Sequence, residues 1–255
     1  KELIVTANSH TWTYDSETHA DGGYTVTYGD ETYTVKAGES ATLSTGDTVT
    51  ATITKTVKNV ADSGVNEIVT LVVENADQYA KITEVDGELI ITQKEVTITA
   101  DSNAKEYDGT ALTDDGYTIE GLATGDAETS VTVTGSITEV GTTANVPSAA
   151  VIMDGEEDVT ANYAITYVNG ELEITASSKS LVVTANSNTW EYDSEYHADG
   201  GYTVTYNGET YTVKAGESAT LSTGDKVTAT ITAQVKNVAD TVEGNNVIVE
   251  LVVEN

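Results

Sequence analysis

The chain has 255 residues, with 11 Lys plus Arg against 42 Asp plus Glu, a formal net charge of −31, one Pro and no Cys or Phe. Such acidity repels phosphate backbones and anionic lipid, which excludes nucleic acid and a membrane surface as natural partners. The missing Cys excludes disulfides, thiolate nucleophiles and Cys-based metal sites, and no apolar run approaches the roughly 18 to 20 residues of a membrane-spanning helix.

Val, Ile, Thr and Tyr dominate, a β-rich composition suited to pleated, half-buried surfaces. The first predicted element is the alternation Leu3-Ile4-Val5-Thr6-Ala7. A polar Asn8-Ser9 turn follows, then a short strand with Trp12 and Tyr14 on one face, closed by an Asx turn at Asp15. After Gly22-Gly23, Tyr24, Val26 and Tyr28 alternate with Thr25 and Thr27, and Gly29-Asp30 turns this strand into residues 31–36. Further on the same corner is written Asn207-Gly208, the strongest short hairpin signal, because both central residues need positive φ. Gly38 and Ser44-Thr45-Gly46-Asp47 make two more turns, and Val49, Ala51 and Ile53 alternate with threonines as a strand buried on one face. Residues 59–64 read as a loop and 68–73 as a strand, and 79–83 is expected to pair with 88–92 as a hairpin through Asp86-Gly87.

The opening stretch returns. LIVTANSHTWTYDSETHADGGYTVTY (Leu3 to Tyr28) reappears as LVVTANSNTWEYDSEYHADGGYTVTY (Leu181 to Tyr206), and a weaker version, VTITADSNAKEYDGTALTDDGYTIE, lies at Val96 to Glu120. The chain is therefore expected to hold three domains ordered A, B, A: 1–93, 94–178 and 179–255. Copy three stops at Val253-Glu254-Asn255, aligned with Val73-Glu74-Asn75, so it lacks the closing hairpin and should expose an unpaired strand edge. Because the chain starts on Lys1 inside a repeat, it reads as an excised piece of a longer protein. No segment holds a helical period; residues 121–129 offer at most one turn of helix. Residues 92–95 and 175–180 carry no Pro-rich or Gly-rich spacer, which predicts an elongated rod. The expected fold is all-β: three tandem small antiparallel β domains, each a sandwich or a grasp-like variant of one.

Copy two resembles the YDG or MBG type of repeat found in tandem in large bacterial surface proteins. The residues that carry the likeness are Tyr107-Asp108-Gly109, the Gly-Leu-x-x-Gly-Asp turn at 121–126 and the ending ANYAITYVNGELEIT. Copies one and three have Tyr-Asp-Ser instead and are read as lacking the Gly-Leu-x-x-Gly-Asp turn, so they are similar but more distant. The resemblance implies an extracellular stalk or adhesin segment at a bacterial cell surface and carries over no catalytic residue.

Candidates for chemistry are few. His19 and His197 are matched by Leu112 in copy two, which marks a packing position rather than a general base, and no Ser, His and Asp set repeats across the copies, so no catalytic residue is assigned. Carboxylates cluster around each Tyr-Asp turn: Asp15, Glu17 and Asp21; Asp108, Asp114 and Asp115; Asp193, Glu195 and Asp199. Calcium takes six to eight oxygens from such loops, but the spacing is not that of an EF-hand and an acidic chain clusters carboxylates by number alone; no cofactor is assigned, with calcium the one alternative. Lys36 and Lys58, recurring as Lys214 and Lys236, with Asn59 and Asn75, recurring as Asn237 and Asn255, would suit an internal Lys–Asn crosslink, but copy two shares none of these lysines. Trp12 and Trp190 stand where copy two has Lys105, which argues for partly exposed rings. With Tyr196 they are the candidate contact for a host glycoprotein such as mucin, an immunoglobulin or a glycan.

Overall fold

Alternation in the first strand becomes a one-sided core. The computed structural model describes residues 1–255 and is all-β, with four short 3-10 turns as its only helical elements. It forms two compact units: Lys1–Asp101, Asp115–Val133 and Val146–Asn169 make the first, and Ser102–Asp114, Thr134–Asn145 and Gly170–Asn255 the second.

In the first unit, Glu2–Ala7 sits between Lys81–Val85 and Tyr24–Tyr28, with Glu31–Val35 on the outside. Thr70–Val73, Thr48–Thr52 and Ala41–Thr42 form a second sheet. Leu3, Val5, Tyr24, Val26 and Val49 are fully buried in one core, while the intervening threonines face out. Period-two burial of this kind fixes the register, because a one-residue slip would turn every apolar side chain to solvent. A third sheet is ordered His10–Thr13, Gly87–Thr92 and Gly64–Asn66. Its buried Tyr14, Val57, Leu89 and Ile91 share a second core with Val96, Ala123, Ile152, Val159 and Tyr163. The latter residues belong to a sheet of Tyr117–Glu120, Lys94–Ala100 and Tyr163–Val168 and to neighbouring segments. Copy one and part of copy two thus bury a common core in this unit, and Gln93 between them donates from Nε2 to the carbonyls of Ala161 and Tyr163 at 3.1 and 3.2 Å.

The second unit pairs Gly170–Thr175 with Asn103–Glu106 and with residues 141–145, over a small core of Leu112, Leu172 and Ile174. Copy three supplies the sheet Leu181–Ala185, Tyr202–Tyr206 and Glu209–Val213 and the sheet Ala219–Thr220, Lys226–Ile231 and Ile248–Glu254. These enclose Tyr202, Val204, Val213 and Val227. The hairpin at Asn207-Gly208 forms as read, with φ of 49° and 82° at its two central residues.

Three sequence expectations are corrected. The segments 79–83 and 88–92 do not form a hairpin with each other. Lys81–Val85 pairs parallel to Glu2–Ala7 and Gly87–Thr92 pairs parallel to His10–Thr13, every partner lying 79 residues away in both ladders. Copy two repeats the arrangement with a constant separation of 69, so the sheets are mixed rather than purely antiparallel. Residues 121–129 form a tight turn at Thr124-Gly125 and then a strand, Ala127–Thr134, not a helical turn.

Candidate functional site

The Trp positions come first. Trp12 is half-buried and lies flat between two imidazoles, 4.1 Å from His10 and 4.8 Å from His19, with interplanar angles of 10° and 16°. His19 is held from behind by Asp15 at 2.9 Å, and the strand His19–Ala20 pairs with Thr56–Val57. Leu112 and His197 make the same bridge, to Ile137 and Val235. The position is therefore structural in all three copies, and His or Leu serves because either covers the edge of a core. Trp190 stacks on His197 at 5.2 Å. Tyr196, beside it in sequence, is 69% exposed and has the Lys236 ammonium 4.8 Å over its ring.

The acidic clusters are occupied locally. Asp15 and Asp193 accept the N–H of Glu17 and Glu195 in Asx turns; Asp21 accepts from Asn8 and from the N–H of Gly23; Asp108 accepts from Lys105 and Thr110. No three carboxylate or imidazole side chains converge as a metal ion would require. Adding calcium is expected to leave the melting midpoint unmoved, which differential scanning fluorimetry with and without chelator checks. The recurring lysines do not meet the recurring asparagines: Lys58 Nζ is 2.7 Å from Asp154, Asn59 donates to Glu157 and Asn75 to Asp47.

The interaction that sequence reading missed joins copies through the recurring Tyr-Asp turn. In the first unit Tyr14 is fully buried and donates to Asp126 Oδ2 at 3.0 Å, while Tyr163 donates to the same oxygen at 2.6 Å. The two rings meet edge to face with centroids 5.4 Å apart. Burial pushes the Tyr14 phenol up, with the Asp126 carboxylate adding to it, and burial followed by Asp126 pushes Tyr163 higher still. Around this centre Asn162 accepts the N–H of Val60 at 2.8 Å and donates to Asn59 at 2.7 Å. At the rim Asp154 accepts from Lys58 and from Ser16, and the Lys58 ammonium holds its carboxyl below the ordinary value.

The second unit repeats the contact with the next residues in the pattern. Tyr107 donates to Asp225 Oδ1 at 2.9 Å. Asp47, Asp126 and Asp225 are the same place in three Leu-x-x-Gly-Asp turns, of which Leu43 and Leu221 open the first and third. Leu43 and Leu221 donate their N–H to the carbonyls of Asp47 and Asp225 at 2.9 and 2.8 Å. Copies one and three thus keep the Leu-x-x-Gly-Asp portion of the turn that sequence reading denied them. The signal that could have revealed the pairing was the recurrence of that turn alongside Tyr-Asp in every copy.

Burial pushes Tyr107 from its ordinary 10.0 up to about 12, with the Asp225 carboxylate next in effect. A phenol whose folded value is raised contributes stability in full below the unfolded value and loses it as pH rises through the folded one. The Tyr107 contact is therefore expected to hold to pH 10 and to fail between pH 10 and 12. A spectrophotometric pH titration of tyrosinate absorbance, read in wild type and Tyr107→Phe, checks this.

Residues 96–173 match the MBG domain (YGX type). No curated protein and no solved structure matches the chain. No helix is long and apolar enough to cross a membrane. The middle copy is thus similar to MBG-type repeats, a repeat domain of surface-type proteins whose members are in general structural or binding domains.

Proposed function

We propose that this chain is a non-catalytic, extracellular stalk segment of a bacterial surface protein, spacing or presenting binding domains. One observation supports it above the others: in the first unit, copy one and copy two are joined by a buried core and the Tyr14–Asp126–Tyr163 contact instead of by a loose linker. A tether needs no such interface; a spacer that holds a distance does. The −31 charge adds repulsion between distant parts of the chain. Small-angle X-ray scattering tests the reading. A radius of gyration well above the ~18 Å of a compact globule of this length is expected, and a value near 18 Å overturns it.

A second reading is supported by the exposed ring of Tyr196 next to the Trp190–His197 stack: the A copies themselves bind a host protein, mucin or immunoglobulin, or a glycan, through Trp12, Trp190 and Tyr196. Glycan arrays and immunoglobulin pull-downs with wild type and a Trp190→Ala, Tyr196→Ala double variant test it. Binding lost in the variant favours it, and absence of binding in the wild type removes it.

A further inference from the structure

Each copy has two distinct ends, one holding the Tyr-Asp turn and the other the Leu-x-x-Gly-Asp turn. In the first unit the Tyr-Asp end of copy one meets the Leu-x-x-Gly-Asp end of copy two. In the second unit the Tyr-Asp end of copy two meets the corresponding end of copy three. The tyrosine contact is common to both junctions, but its surroundings differ.

At the first junction the face that copy two offers is apolar with an acidic rim. Ala123 and Val159, 6% and 1% exposed, close the core over Tyr14 and Val57. The hairpin Met153–Asp158 supplies the rim, where Asp154 accepts from Lys58 Nζ at 2.7 Å and Glu157 from Asn59 Nδ2 at 3.3 Å. The A copies lack these features. Ser44 and Ser222 stand at the place of Ala123, and Ser222 stays exposed. In copy one Asn75 takes the place of Val159 as the cap of the 3-10 turn, and strand Thr70–Val73 reaches it through Glu74 with no hairpin between.

At the second junction the chemistry is polar. The bridges His19 to Val57 and Leu112 to Ile137 align Lys58-Asn59 of copy one with Thr138-Glu139 of copy two. Glu139 accepts from Asn255 Nδ2, the residue that matches Asn75. The small core of Leu112, Leu172 and Ile174 takes in no side chain of copy three.

We propose that the Tyr-Asp end of copy one is a selective socket. Its fitting partner is a repeat with the face of copy two: apolar side chains at the places of Ala123 and Val159, and an acidic hairpin ahead of the 3-10 turn. Each wrong pairing has its own cost. The face of copy one in this socket would set Ser44 and Asn75 against Tyr14 and Val57, burying polar groups without partners. The face of copy two on its own Tyr-Asp end would bring Asp154 and Glu157 up to Glu139, like charges where the first junction has Lys58. The A, B, A order is thus matched by the chemistry of the junctions. Selection of this kind does not depend on the extension that scattering reads, so the two can fail separately.

Amide hydrogen exchange in the full chain, followed by NMR, tests it. The Val60 N–H donates to Asn162 Oδ1 across the first junction, while the Glu2–Ala7 ladder reports on folding of copy one itself. Lys58→Glu, which gives copy one the charge that copy two carries at Glu139, is expected to speed Val60 exchange at least ~3-fold. Adding Asp154→Lys should return it to the wild-type rate. Ala123→Ser with Val159→Asn, which gives copy two the face of copy one, should speed it at least ~10-fold. The Glu2–Ala7 amides should stay as slow as in wild type throughout. Unchanged Val60 exchange in Lys58→Glu or in the Ala123→Ser, Val159→Asn variant, or no recovery on adding Asp154→Lys, overturns the proposal.

Discussion

Tyr14→Ala is expected to destabilise the first unit by about 3–5 kcal/mol, the range for truncating a fully buried aromatic. The ring contributes to a core formed by both copies, so the surroundings cannot collapse from one side to fill the space. The substitution also leaves Asp126, 9% exposed and with Oδ1 already unpartnered, dependent on Tyr163 alone. Tyr14→Phe separates the two effects: it keeps the packing and removes only the hydroxyl, for about 1 kcal/mol. Chemical denaturation followed by far-ultraviolet circular dichroism measures both. A Tyr14→Ala effect no larger than that of Tyr14→Phe would show that the shared core contributes little.

Gly109→Ser is expected to cost the second unit at least about 2 kcal/mol, through backbone strain plus steric overlap. Gly109 has φ +79°, and a Cβ there would lie 1.9 Å from the Thr223 carbonyl oxygen. The φ alone does not demand glycine, because Ser16 and Ser194 occupy the matching place at 68° and 72°. What differs is the neighbour. Ser16 has a polar partner, donating to Asp154 at 3.2 Å, whereas Gly109 faces a carbonyl at a distance only a hydrogen tolerates. The reverse change, Ser16→Gly, should therefore cost no more than about 1 kcal/mol, the value of the single hydrogen bond it loses. Thermal melts of the two variants, each read against wild type, check the asymmetry. Equal effects would contradict it.

Elements governed by short-range pattern could be read in the sequence. Tyr24–Tyr28 and Glu31–Val35 show strict alternation around a two-residue corner, and they pair as that pattern requires, Tyr28 opposite Glu31. The half-buried state of Trp12 and Trp190 also followed, from the Lys105 that replaces them. The closing segments misled for a physical reason. Asp86-Gly87 between alternating apolar runs has the composition of a hairpin turn, but Gly87 does not take the positive φ of one. Its glycine is needed because the Asn8 carbonyl passes within 2.0 Å of where a Cβ would stand, a constraint set by residues almost a whole copy away. The Tyr–Asp contacts were harder still, spanning 112 and 118 residues, and no local period reports on a partner at that range.

The constant 79-residue register between Lys81–Thr92 and Glu2–Thr13 has a consequence for load. The two strands lie near opposite ends of one repeat and run in the same direction. Tension applied at those ends slides one past the other along its length and strains all the rungs of both ladders together. An antiparallel hairpin pulled open at its ends would instead unzip one rung at a time. Copy one is thus wired as a shear clamp.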